Sequence, residues 1–372
     1  MSVWRMPWNR SLGPIGLDLG AEHPRAMQVR HGPDAPVAMA EVRTAPDADL
    51  ATRAKAMVAA LRRGGFSGRD VVVGLPSSVA RMHVARLPAL EGADGREAIA
   101  WEASERNAIA RDALVADALP TGAPVAHGDQ KEEQLVMAAP IDELEGAFEV
   151  LLDAGFDPVA AEPRFVAVAR GLSRRARRDA DASLVRAVLH VDGAGSCIMV
   201  LRGDRIAFCR EVPVGGETLD QAVATRLAVP VEAAAVLRAH RIAAARGQAP
   251  EVDSVAEEAA AAATRATLDA LAGEVALCLR YYGVTFRGGQ PGRVVLSGPH
   301  GAEPKLAQII AATTRAEVVW CAEELPAGVQ DAALRRGGSG MDAWMAAFGL
   351  ACRSREQAMG RRAKGARKGV AA

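Results

Sequence analysis

Two segments of this chain end in the same way, and that repetition constrains the fold more than any other feature. Ile15-Gly16-Leu17-Asp18-Leu19-Gly20 and Ala187-Val188-Leu189-His190-Val191-Asp192-Gly193-Ala194-Gly195 are apolar strands closed by an aspartate and a glycine turn. Each continues into two more strands across tight turns: Arg25 to Arg30 and Val37 to Val42 in the first, Cys197 to Leu201 and Arg205 to Val212 in the second. A helical pattern then follows each meander. The first, Leu50 to Arg63, sets Leu50, Ala54, Met57, Val58 and Leu61 on one face and stops at Gly64-Gly65. The second opens at Gly215-Gly216-Glu217-Thr218 and runs through Leu219, Ala222, Val223 and Leu227. A β-β-β-α plan used twice predicts an α/β protein of two related lobes, and 372 residues exceed the usual span of one core.

The remaining pattern places boundaries. Val71 to Leu75 is an unbroken apolar run, expected to be a sheet strand buried on both faces. From Arg81 to Leu184 the composition shifts to charged helices, Glu97 to Asn107 and Asp142 to Ala154, around a strand at Gln134 to Ala139. This predicts a small inserted α+β subdomain over 81–184, with Arg174 to Asp181 as a solvated connector. The first lobe is then 13–80, completed by 341–352, and the second is 185–340, with a helical part over 231–282. A buried strand at Arg293 to Leu296, a turn at Ser297 to Gly301 and a helix at Pro304 to Ala312 belong to the second lobe. Residues 353–372 form a basic tail, seven Lys and Arg against Glu356, suited to an anionic membrane face or to a solubilising role.

An aspartate at a strand end before a glycine turn suits a nucleotide tail. Glycine admits phosphate oxygens to backbone N–H groups, and each carboxylate can hold magnesium through its water shell. Asp18 with Gly20 and Asp192 with Gly193, Ala194 and Gly195 are therefore candidates to clamp phosphates from two sides, with Asp18 and Asp192 as candidate metal contacts. Aspartate and glycine are also ordinary turn formers, so the repetition carries the inference. Ser297-Gly298-Pro299-His300-Gly301 lies between a buried strand and a helix, where open α/β sheets meet ligands.

Other classes lose ground. Lys plus Arg and Asp plus Glu are 45 each, so no overall field attracts nucleic acid, and the 4% aromatic content leaves few platforms for stacked bases. The five cysteines, Cys197, Cys209, Cys278, Cys321 and Cys352, are widely spaced with no CxxC, which fits a reducing compartment better than a disulfide framework or structural zinc. No run of about 20 apolar residues is present to span a bilayer. Met1 to Arg10 lacks an apolar segment behind its arginines and reads as a leader rather than a secretory signal, despite Trp4 and Trp8. His190 and the pair Cys197 and Cys209 are expected to be core residues rather than catalytic ones.

In order along the chain, these blocks resemble the actin-like ATPase superfamily, and within it the PilM family of type IV pilus assembly, relatives of FtsA. The likeness rests on Ile15 to Gly20, on Val72-Val73-Gly74-Leu75-Pro76-Ser77-Ser78 with Arg81 and Leu87-Pro88, and on Glu97 to Ala103. It continues through Val191-Asp192, Arg210-Glu211-Val212-Pro213-Val214-Gly215-Gly216-Glu217, Leu279-Arg280-Tyr281-Tyr282, Leu296-Ser297-Gly298 and Trp344 to Arg353. The resemblance implies two RNase H-like lobes closing on ATP and Mg2+, with Asp18, Gly20, Ala21, Arg25, Asp192, Gly193, Ala194, Gly195, Gly215, Gly216, Glu217, Arg238, Ser297, Gly298 and Gly301 around the nucleotide. It also implies a cytoplasmic scaffold at the inner face of the inner membrane, docked to the tail of a PilN-like membrane protein.

The departures from the pattern are specific. Ala21-Glu22 replace the small hydroxyl residues usual after the first glycine, which removes a donor and adds an acid beside the expected phosphates. Arg25 stands in the usual lysine position with a different geometry. Pro299-His300 replace a glycine pair, and Ala235 an acid, while Arg238 keeps a cation. A degenerate site that binds ATP more readily than it hydrolyses it is the expectation. Two alternatives stay open: a small-molecule kinase of the same superfamily, and a cytoplasmic component of a type II secretion platform.

Overall fold

In the computed structural model, the described residues are 12–31, 34–45, 47–90, 92–123, 131–175, 183–250, 252–286, 290–325, 329 and 340–353. The leader with Trp4 and Trp8, most of the basic tail and most of the connector after Arg174 lie outside them.

The first sheet starts with β1 (Ile15–Asp18), β2 (Arg25–Arg30) and β3 (Ala35–Glu41), an antiparallel meander, followed by α1 (Leu50–Arg63) and β4 (Asp70–Leu75). The α1 helix begins where Asp49 accepts a hydrogen bond from the Thr52 N–H at 2.7 Å, an N-cap. Next come β5 (Arg81–Pro88), α2 (Gly92–Asn107), β6 (Leu114–Pro120) and β7 (Lys131–Pro140), then α3 (Ile141–Asp153), β8 (Asp157–Pro163) and α4 (Arg164–Leu172). β5, β7 and β6 pair in that order as a separate antiparallel sheet. β8 joins the first sheet instead, parallel to β4, giving the order β3-β2-β1-β4-β8.

The inserted unit expected over 81–184 is therefore shorter by sheet membership: its strands end at Pro140, and α3, β8 and α4 pack with the first lobe. The physical reason is that β8, with Pro158, Pro163 and two alanines, has little strand propensity of its own and is held by its parallel register with β4.

The second lobe repeats the plan with β9 (Val185–Val191), β10 (Ser196–Arg202) and β11 (Arg205–Val212), then α5 (Gly216–Leu227), α6 (Val231–Ala245) and α7 (Ser254–Thr285). β12 (Arg293–Ser297), α8 (Leu306–Thr314) and β13 (Glu317–Trp320) complete its sheet in the order β11-β10-β9-β12-β13, the same arrangement as the first. A short 3-10 turn leads into α9 (Met345–Ala351).

The α4 and α9 helices lie between the two sheets. One continuous core joins Met27 and Val29 of the first sheet, Phe165 and Val168 of α4, Met345 and Phe348 of α9, and Val188 and Met199 of the second sheet. A Cβ on Gly349 would overlap the Ala167 carbonyl oxygen, so the two helices cross with their backbones in contact. This shared centre fixes how the carboxyl ends of the two sheets face each other.

Candidate functional site

β1, β4 and β8 are parallel neighbours, so their carboxyl ends lie side by side, with Asp18 opposite Gly74 and Gly74 opposite Glu162. Gly74 has no side chain, and the space beside Asp18 is left for a group arriving from beyond β8. That group is Arg164, the first residue of α4, directly after Pro163. Helical side chains lean toward the helix N-terminus, which sends the guanidinium back over the sheet ends. Its Nε and Nη2 donate to Asp18 Oδ1 and Oδ2 at 3.2 and 2.9 Å, a bidentate fork. Its Nη1 pairs with Asp192 Oδ2 from the other lobe. Asp18 and Arg164 are fully enclosed and Asp192 is nearly so. The two aspartates thus face each other across a common crevice, as the doubled motif predicts, with an arginine between them.

The crevice encloses about 380 Å³ and is lined by Gly20, Ala21, Glu22, Asp47, Asp49, Arg53, Ser78, Glu143, Asp192, Gly193, Ala194 and Glu217 among others. Six of its lining residues are acidic, and Arg53 is the one basic residue among them. Arg53 Nη1 donates to the carbonyls of Leu19 and Ala21, at 3.2 and 2.6 Å, bracing the first glycine turn from behind. Burial lowers the Arg53 pKa, opposed by the attraction of Asp18 and reinforced by the repulsion of Arg164. Gly20 is required by packing: a Cβ there would lie 2.7 Å from Pro76 N and 2.8 Å from Arg164 Cδ. Its N–H donates to Asp18 Oδ1 at 3.1 Å.

Glu22 and His300 close the rim. His300 Nε2 lies 3.3 Å from Glu22 Oε2, joining the loop after β1 to the loop after β12. The hydrogen bond from His300 pulls the Glu22 carboxyl down to about 2, against the opposing effect of burial. The His300 ring also covers Gly216, where a Cβ would overlap it.

Several residues assigned to a nucleotide by resemblance are engaged elsewhere. Arg25 donates to Glu41 at 2.7 Å and to the Ala343 carbonyl at 3.1 Å, with its guanidinium over the Trp344 ring. Arg238 is buried and held by Glu303, by Asp220 and by the Gly216 carbonyl, while Arg241 shares Glu303 and also pairs with Glu257. Ser297 is fully buried with its hydroxyl 3.0 Å from His190 Nδ1. Burial holds the His190 pKa well below its ordinary value, so this histidine is a neutral core residue, bonded to a hydroxyl.

The backbone donors are partly used as well. Gly216 and Glu217 N–H groups donate to the Asp192 and Gly193 carbonyls, Gly215 N–H reaches Thr218 Oγ1 at 3.4 Å, and the Gly298 and Gly301 N–H groups donate to Asp342 and Gly298. Gly193 and Glu217 lie beside Glu22, with the Gly193 Cβ position within 3.6 Å of carboxylate oxygens from both acids. Gly195 packs its Cα face against the Val212 carbonyl.

These residues do not fit a magnesium ion between Asp18 and Asp192. Three of the four carboxylate oxygens are bonded to Arg164, and no group of three or more metal-ligating side chains exists among the described residues. A triphosphate would meet six carboxylates and one arginine whose donors serve carbonyls. Both carboxylates that the sequence offers as metal contacts are held by Arg164 instead. Sequence reading overlooked Arg164 and Arg53. The signal for Arg164 is an arginine directly after the proline that ends a strand, which is too common a pattern to stand out alone.

A family model described as type IV pilus assembly protein PilM matches residues 36–355. No curated protein sequence matches the chain. Among solved structures, one described as the PilM-PilN type IV pilus biogenesis complex is similar at 22% identity and a TM-score of 0.72, covering 93% of this chain and 98% of that one. The ethanolamine utilization protein EutJ from Carboxydothermus hydrogenoformans is similar at 14% identity and a TM-score of 0.51, covering 91% and 89% of the two chains. Likeness at this level concerns the fold, which is the actin-like one that the resemblance implies. With the family model spanning both lobes and the inserted sheet, the chain belongs to the family of type IV pilus assembly protein PilM.

Proposed function

We propose that this protein is an actin-like scaffold of a type IV pilus assembly platform, and that it holds an extended tail of a PilN-like membrane protein in a groove beside β6. The observation that carries the docking place is the groove itself. It encloses about 250 Å³ between the inserted sheet and the first lobe, lined by Leu75, Val115, Leu119, Met137, Pro163 and Val166 among others. Val115, Ala116 and Asp117 all line it, although successive strand residues point to opposite faces. A groove that meets both faces of β6 runs along its edge, and among the described residues β6 pairs with β7 alone. An unpaired edge beside apolar pockets suits an added peptide strand, with backbone hydrogen bonds for affinity and alternate side chains for specificity.

Family membership and the partner named with the similar solved structure support this choice of occupant. Among the described residues no helix is long and apolar enough to cross a membrane, so the reading takes its place at the inner face of the inner membrane from the partner. The interlobe cleft serves closure of the two lobes, and the reading assigns no Mg-ATP step to it.

The experiment is co-expression with a PilN-like protein from the same genome, followed by capture through a tag on that partner. Retention of the wild type and loss of Val115→Glu, an exposed groove position, support the reading. Equal retention of both moves the docking site elsewhere, and retention of neither removes the partner.

A further inference from the structure

The Arg164 bridge lies where two facing carboxylates, one per lobe, would otherwise share a divalent cation. We propose that Arg164 is the resident cation of this cleft: it closes the two lobes without metal, and a divalent-cation site exists between Asp18 and Asp192 only once Arg164 is removed. This does not rest on the partner reading above.

Charge and geometry both carry it. Asp18 and Asp192 face Arg164, and Arg53 stands close enough to feel both Asp18 and Arg164. Two carboxylates are thus balanced by two guanidiniums, the charge one divalent ion would supply. Adding such an ion between the two aspartates of the intact site would set it directly against the enclosed Arg164 guanidinium, which is costly. It would also have to displace a fork bonded twice to Asp18.

Deleting Arg164 reverses both conditions. Two enclosed carboxylates then lose their shared partner: Asp18 Oδ2 and Asp192 Oδ2 are freed, while Asp18 Oδ1 keeps the Gly20 N–H. Asp192 Oδ1 is already buried with no hydrogen-bond partner, so one acceptor waits there even in the wild type. Oxygen ligands at an enclosed site of net negative charge are what a hard divalent cation takes. The guanidinium is fixed by the fold, as the first residue of a helix whose next residues, Phe165 to Ala169, are in the core. Closure by Arg164 is therefore permanent, whereas closure by an ion would depend on its concentration.

The test uses the full chain and Mn2+ alone, with the bound fraction read by electron paramagnetic resonance and by calorimetry. The wild type is expected to show no saturable cleft binding. Arg164→Ala is expected to bind one Mn2+ per chain at least about tenfold more tightly than the wild type, and Arg164→Ala with Asp192→Asn to lose it. Arg164→Gln, which keeps most of the volume without the charge, is held to the same outcomes in case the alanine variant does not fold. A wild type that binds one Mn2+ in a manner abolished by Asp18→Asn overturns the proposal. So does a folded Arg164 variant that binds no more tightly than the wild type.

Discussion

His300 stands 3.3 Å from Glu22 across the mouth of the cleft, and its hydrogen bond holds the Glu22 carboxyl at about 2, below the ordinary value of 4.5. A carboxyl whose folded pKa is depressed adds stability above its unfolded pKa and loses it as the pH falls through the folded value. The contribution is therefore complete above about pH 5 and fades toward pH 2. Glu22 is 42% exposed, so solvent screening keeps the effect below about 1 kcal/mol. Melting curves of the wild type and Glu22→Gln should differ at pH 6 and converge as the pH approaches 2. A gap that widens on acidification contradicts this assignment.

Arg164→Ala leaves two enclosed carboxylates without their shared partner. Breaking a buried pair on one side costs about 3–5 kcal/mol, and urea unfolding without divalent ions should show a loss of that order. Arg164→Met combined with Asp18→Asn and Asp192→Asn removes the stranded charges and should recover most of it. Equal losses in both variants would mean that packing, not charge, is what Arg164 supplies.

Glu303 is buried and accepts from both Arg238 and Arg241. Glu303→Ala removes the buried acid the two guanidiniums share, leaving Arg238 with Asp220 and the Gly216 carbonyl and Arg241 with Glu257, and is expected to cost about 3 kcal/mol, the low end for a broken buried pair. Limited proteolysis should then cut first around α5 to α7, while the first lobe stays resistant. Early cleavage in both lobes at equal rate would contradict a network local to the second.

The crossing of α4 and α9 gives a purely steric prediction. Gly349→Ala places a methyl group into the Ala167 carbonyl, and overpacking of this kind costs about 1–3 kcal/mol or more. Gly273 on α7 has open space at its Cβ position, so Gly273→Ala should be neutral or slightly stabilising by helix propensity. Thermal melts of the two variants, read side by side, check both.

The two meanders were legible because β1 and β9 are apolar strands ending in Asp18 and Asp192, and that signal is local. Glycine turns and helical spacing are local too, so α1 and α5 fall where expected. β8 was not legible, because Asp157–Pro163 holds two prolines and gains its strand state from β4. Arg164 was missed because its role depends on a partner 146 residues earlier in the chain and on a second one in the other lobe. Arg25 and Arg238 were placed by motif position, and motif position does not reveal that Glu41 and Glu303 claim them first.

The central claim is that partner binding resides in the groove along β6 and not in the interlobe cleft. Calorimetric titration of the full chain with the cytoplasmic tail peptide of the PilN-like protein, with and without Mg-ATP, tests it most directly. The account predicts one peptide per chain, an affinity unchanged by Mg-ATP within about twofold, and at least about tenfold weaker binding by Val115→Glu. Binding that requires Mg-ATP, or that is indifferent to Val115→Glu, would contradict it.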